Sequence, residues 1–105
     1  MIFKQGIDIV ENKRIKKVYL KYKRRFLNKI LSENEINDLK KINSQSILIR
    51  KVTSRFSAKE AAAKAIGTGF SEGLKFSDIE ISYDRFEKPE LKLKKEIFDR
   101  VFGKK

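Results

Sequence analysis

The apolar positions of this chain follow two periods, and the switches between them mark its elements. Met1 to Val10 alternates around Ile7, Asp8 and Ile9, which predicts a strand with Asp8 on the face opposite its apolar neighbours. From Glu11 the spacing becomes helical. Ile15, Val18, Tyr19 and Tyr22 recur on one side, and Phe26, Leu27, Ile30 and Leu31 carry an apolar stripe into the next segment. Ser32-Glu33-Asn34-Glu35 is a capping box, with Ser32 as N-cap and Glu35 three residues on, and it opens a short helix bearing Ile36 and Leu39. After a polar break at 43–46, Ile47 to Ile66 reads as one long central helix with Leu48, Val52, Phe56 and its alanines facing the core. Gly67-Thr68-Gly69 suits the end of that helix and a tight turn. Asp78 to Asp84 alternates through Ile79, Ile81 and Tyr83, and Leu91 and Leu93 give a shorter strand, with Pro89 in the turn between the two. They pair as an antiparallel hairpin. Lys94 to Phe102 returns to helical spacing, closed by Gly103. The order is β-α-α-α-β-β-α, an α+β domain whose antiparallel sheet packs against helices, the long central one beneath it.

Composition narrows the chemistry. A chain of 105 residues makes one domain with one modest core. Without cysteine there is no disulfide, thiolate metal site or thiol nucleophile, and without histidine no Ser-His-Asp triad or imidazole–zinc site within the chain. A metal would have to be a hard cation held by carboxylates, most naturally Mg²⁺. No apolar run reaches the roughly 20 residues that span a bilayer, and the amino terminus lacks a signal-peptide layout, so a soluble cytoplasmic protein is expected.

The net charge of +12 is unevenly spread. Between Asn12 and Ser32 stand Lys13, Arg14, Lys16, Lys17, Lys21, Lys23, Arg24, Arg25 and Lys29, with no acidic residue among them. A block of one sign speeds encounter with an acidic partner: nucleic acid, an anionic membrane or an acidic protein. Asp8 is the converse case. An acid amid apolar strand positions is costly unless it is paired, binds a cation, or faces water from an edge strand.

The central helix carries the other candidates. Phe56, Glu60 and Lys64 recur every four residues and share a face, so a carboxylate and an ammonium stand one turn apart beside small side chains. Alone, such a pair is also what a solvated helix face looks like, worth roughly 0.3–0.5 kcal/mol. The three consecutive alanines distinguish this helix, because they let backbone or a ligand approach closely.

The run Phe56-Ser57-Ala58-Lys59-Glu60-Ala61-Ala62-Ala63-Lys64-Ala65-Ile66-Gly67 resembles the F-x-x-K-E-[AS]-x-x-K-[AL]-x-G signature of the 4'-phosphopantetheinyl transferases. Gly67-Thr68-Gly69 and the amino-terminal Gly6-Ile7-Asp8-Ile9-Val10-Glu11 are similar to the short bacterial branch, the holo-[acyl-carrier-protein] synthases. Two motifs in the right order, about fifty residues apart, are far more specific than either alone.

The resemblance implies transfer of 4'-phosphopantetheine from coenzyme A to a serine of apo-acyl carrier protein, releasing adenosine 3',5'-bisphosphate, in support of fatty acid biosynthesis. It makes Asp8 and Glu60 the ligands of a Mg²⁺ at the pyrophosphate and places Lys64 on the phosphates or the leaving group. Arg55 falls where the family meets the 3'-phosphate, and Lys59, Gly67, Thr68 and Gly69 join it as coenzyme contacts. The serine proton leaves through a carboxylate or through water at the metal. Acyl carrier proteins are acidic, which gives Arg14, Lys17, Lys21, Arg24 and Arg25 a docking role. The short branch is a homotrimer with active sites between subunits, and neither membrane nor nucleic acid is an expected partner.

The chain departs from that pattern in two places. Short-branch members carry a further strand pair after the last helix, whereas this chain stops at Lys105, so a single domain over 1–105 truncated at its carboxy terminus is expected, with an exposed sheet edge. The hairpin turn reads Phe86-Glu87-Lys88-Pro89 where the family often has Asn-Gly-Lys-Pro. The alternative function is a small basic nucleic-acid-binding module that uses the same helix, with Tyr19, Tyr22 and Phe26 interleaved; it leaves Asp8, Glu60 and the glycine turn without a use.

Overall fold

The computed structural model describes residues 2–66 and 74–103, with side chains described from Val10 onward except at 66 and 100–102. Its elements in order are α1 (Ile2–Tyr22), α2 (Arg24–Ile30), α3 (Glu33–Leu39), α4 (Gln45–Ile66), a 3-10 turn (Phe76–Asp78), β1 (Ile79–Tyr83), β2 (Pro89–Leu93) and α5 (Lys95–Phe102). The Gly67-Thr68-Gly69 turn lies outside the described residues.

The first predicted strand is corrected: residues 2–10 form the opening turns of α1. β-branched Ile7, Ile9 and Val10 favour a strand locally, but a strand needs a ladder, and the described sheet consists of β1 and β2 alone. In the helix the same backbone groups are satisfied within the segment. α1 ends at Lys23, whose φ of 52° is left-handed and whose N–H donates to Tyr19 O at 2.7 Å. This break turns the apolar stripe of α1 into the separate helix α2.

The hairpin forms as predicted, with Ile79 opposite Leu93 and Ile81 opposite Leu91. Pro89 is corrected from turn to strand. It is the first residue of β2, opposite Tyr83, at the end of an edge strand where a missing N–H is tolerated. The turn is organised by Asp84, whose Oδ1 accepts from Phe86 N at 2.8 Å and Lys88 N at 2.9 Å. Glu87 then adopts φ 60°, the conformation a glycine would take without strain.

α4 spans two apolar clusters. Ile49 and Val52 join Ile15, Ile30, Leu31 and Leu39 in the first, with Phe56 packed against it. Ala63 joins Leu74, Ile79, Ile81 and Ile97 in the second, with Ala58 and Ala62 against it. The alanine run is thus explained in part by the sheet, which small side chains admit close to the helix axis, while Ala61 faces solvent.

Candidate active site

An α-helix advances 100° per residue, so neighbours on α4 point to different sides, and Lys59 and Glu60 divide the helix between them. Lys59 is fully buried. Its three ammonium donors meet Ile30 O at 2.6 Å, Glu35 Oε1 at 2.5 Å and Phe76 O at 3.0 Å, which ties α4 to the end of α2, to α3 and to the 3-10 turn. Burial pulls its pKa below the ordinary lysine value, against the hydrogen bond and charge of Glu35 that raise it. With every donor spent inside, Lys59 has none left for a coenzyme, and its expected role as a coenzyme contact gives way to a structural one.

Glu35 is the other half of this centre. The capping box is present as read: Ser32 Oγ accepts from Glu35 N at 3.2 Å, and Glu35 Oε1 accepts from Ser32 N at 2.9 Å. The carboxylate is also buried, and its Oε2 accepts from Ile81 N at 3.1 Å and lies 3.7 Å from Arg55 Nε. In the sequence Glu35 stands out only as a cap. The available signal was its place four residues before Leu39, a charge on the buried face of α3.

Arg55 shares the inward side of α4 with Lys59 but reaches a polar basin of about 480 Å³, lined also by Arg50, Lys51, Ser54 and Tyr83. Its guanidinium lies 5.0 Å from the Tyr83 ring centroid, and Tyr83 Oη is 3.1 Å from Ser54 Oγ.

The outward side carries Phe56, Glu60 and Lys64. Glu60 is half-buried and Lys64 exposed, and among the described residues no ion pair joins them. Arg14 of α1 enters this face instead. Its Nη2 donates to Glu11 Oε2 at 2.7 Å and stands 3.9 Å from Glu60 Oε1, while its guanidinium lies over the Phe56 ring at 5.6 Å. Asp8 is on α1, six residues before Arg14, and its side chain lies outside those described. Glu60 therefore offers hard oxygen donors on an open face. Among the described residues no three acidic side chains form a closed cation cage, so a metal here would take further ligands from water and phosphate, as Mg²⁺ does.

Of the basic residues, Arg14, Lys17 and Lys21 form a stripe at i, i+3 and i+7 along α1, all exposed. Arg25 borders a cleft of about 720 Å³ with Val18, Tyr22 and Phe26, whereas Arg24 opens onto a different groove with Tyr19 and Leu27. No helix among the described residues is long and apolar enough to cross a membrane.

Residues 5–103 match the family described as the 4'-phosphopantetheinyl transferase superfamily. The chain belongs to that superfamily. Curated relatives in this superfamily include a holo-[acyl-carrier-protein] synthase of Wolbachia pipientis from Culex pipiens, 43% identical over 97% of this chain and 82% of its own length. One from Buchnera aphidicola is 46% identical over 87% of this chain and 70% of its length. Among solved transferase structures, the Helicobacter pylori holo-[acyl-carrier-protein] synthase in complex with coenzyme A superposes with a TM-score of 0.68 at 34% identity, covering 86% of this chain and 73% of that one. The Plasmodium yoelii acyl carrier protein synthase with ADP bound gives 0.66 at 31% identity, covering 86% and 69%. The superfamily match displaces the nucleic-acid alternative, which has no support in these relatives.

Proposed function

We propose that this chain transfers 4'-phosphopantetheine from coenzyme A to a serine hydroxyl of an apo-acyl carrier protein. A bond forms between the serine oxygen and the phosphorus of the pantetheine phosphate. The bond from that phosphorus to the bridging oxygen breaks, adenosine 3',5'-bisphosphate leaves, and the hydroxyl proton is lost. The observation that carries the reading is the division of labour on α4: Lys59 locks the helix from inside, and its neighbour Glu60 stands on an open face in range of a cation from α1.

Such a reaction is accelerated mainly by position and charge neutralisation. Glu60 and Asp8 would hold Mg²⁺, which when bound neutralises pyrophosphate charge. Lys64, one turn beyond Glu60, sets an ammonium toward the phosphates, and Arg55 meets the coenzyme's 3'-phosphate from its basin. Gly67, Thr68 and Gly69 bring backbone N–H groups to phosphate oxygens. Arg14, Lys17, Lys21, Arg24 and Arg25 attract and orient the acidic carrier protein. Because Arg55 and Glu60 sit on different sides of α4, one coenzyme meets both sets of groups most simply between protomers, in keeping with the homotrimer and shared sites that the resemblance implies. The place of action is the cytoplasm, in fatty acid biosynthesis.

The test is direct. Incubation with coenzyme A, Mg²⁺ and apo-carrier protein should add the phosphopantetheine mass to the carrier, read by intact-protein mass spectrometry. A folded chain that binds coenzyme A yet leaves every carrier protein unmodified, with no adenosine 3',5'-bisphosphate formed, overturns the reading.

A further inference from the structure

The basin beside Arg55 has the chemistry of a phosphate-monoester site. Two guanidiniums (Arg50 and Arg55), the Lys51 ammonium and the paired hydroxyls of Ser54 and Tyr83 face one space of about 480 Å³. Asp38 and Glu87 also line it, and their charges oppose an anion. Binding there therefore depends on where the guanidiniums are aimed as well as on how many there are.

Arg55 is aimed from below. It is almost completely buried, and its Nε has no hydrogen-bond partner among the described residues. The group facing that Nε is Glu35 Oε2 at 3.7 Å, an attraction without a hydrogen bond. Glu35 itself cannot turn, because Oε1 is held by Ser32 N and Lys59 Nζ and Oε2 by Ile81 N. Above, the Tyr83 ring limits the guanidinium at 5.0 Å. A fixed carboxylate on one side and a ring on the other flank the guanidinium where it lines the basin.

We propose that Glu35 is a positioning residue for the coenzyme, acting through Arg55 on the 3'-phosphate; this rests on the reading of Arg55 as a coenzyme contact. The experiment compares the affinities of the full chain for coenzyme A and for 3'-dephospho-coenzyme A, by calorimetry, in the native protein, Arg55→Ala and Glu35→Gln. Glu35→Gln keeps the shape and an oxygen for Ile81 N, removes the charge, and turns an NH2 toward Ser32 N and Lys59 Nζ. The ratio of the two affinities cancels any loss of folded protein.

The native chain should prefer coenzyme A, Arg55→Ala should lose that preference, and Glu35→Gln should reduce it by about tenfold, the weight of one charge-assisted contact. Should Glu35→Gln keep the native ratio while Arg55→Ala loses it, the proposal is wrong and the role of Arg55 stands. Should the native chain show no preference, or Arg55→Ala retain it, the reading of Arg55 falls and the proposal with it. If Glu35→Gln does not fold, Glu35→Asp withdraws the charge by one methylene, and its ratio is judged by the same outcomes.

Discussion

Replacing Lys59 with methionine isolates what the buried ammonium does for the fold. The side chain keeps its unbranched stem, one atom shorter, and loses its charge and three donors. Ile30 O, Phe76 O and one oxygen of Glu35 then lose a partner in an interior where Lys59 is fully buried, although Phe76 O keeps the N–H of Ile79. Each buried polar group left unsatisfied costs about 1–3 kcal/mol. Glu35 keeps the N–H groups of Ser32 and Ile81. Methionine regains some energy, because no ammonium has to be desolvated. The net loss should fall near the roughly 3–5 kcal/mol typical of removing one partner from a buried ion pair. Against a total of about 5–15 kcal/mol that is about a fifth or more of the stability, and at about 4–8 °C per kcal/mol the melting temperature should drop by more than about 12 °C. Urea unfolding followed by circular dichroism measures it, with Lys64→Met as the exposed control expected within about 0.5 kcal/mol of the native protein. Glu35→Gln should cost less beside Lys59→Met than it does alone, since the two side chains share one contact. A Lys59→Met chain within about 1 kcal/mol of the native one would refute the reasoning, and a double variant weaker than the sum of its parts would refute the coupling.

Three other outcomes follow from particular side chains. Glu60→Gln should leave stability within about 0.5 kcal/mol while lowering kcat/KM by about a thousandfold, because a half-exposed group with no short partner holds little of the fold and much of the proposed chemistry; equal loss of folding and transfer would contradict that separation. Lys17→Glu with Lys21→Glu should raise KM for the carrier protein and flatten its salt dependence with kcat little changed, measured by carrier titrations at several ionic strengths. Glu87→Gly should stabilise the chain by about 0.5–1 kcal/mol in urea melts, by removing left-handed strain at φ 60° that exceeds the entropy cost of glycine.

The elements that could be read in advance are those decided by near neighbours. Ser32 and Glu35 cap α3 through three residues of sequence, and β1 declares itself by alternation, so both lie where the pattern puts them. The start of α1 does not, because residues 2–10 choose between strand and helix by whether a ladder exists beside them. The place of Lys59 is hidden for a similar reason. Four residues after Arg55 it looks like a solvated or ligand-facing lysine, and only Glu35, twenty-four residues earlier, takes it inside. Glu60 and Lys64 could be recognised as candidates from their spacing and the surrounding motif. That Arg14, named for docking, also reaches Glu60 is a tertiary fact, set by the packing of α1 on α4.

The need for a lysine at position 59 follows from where the two apolar clusters meet. Ile49, Val52 and Phe56 serve the first and Ala58, Ala62 and Ala63 the second, so Lys59 lies at the seam. A leucine there could join the clusters, and replacing a buried ion pair by apolar side chains is often harmless. Here it would not be, because the seam is also where α2 ends and the 3-10 turn begins, and both present backbone carbonyls inward. Ile30 O needs a donor that no apolar residue supplies, whereas Phe76 O also accepts from the Ile79 N–H. An ammonium meets both with one proton to spare for Glu35, whose other oxygen satisfies Ile81 N in β1. The charge is therefore retained to satisfy backbone, and the seam it makes holds the helix that presents Glu60 on a different side.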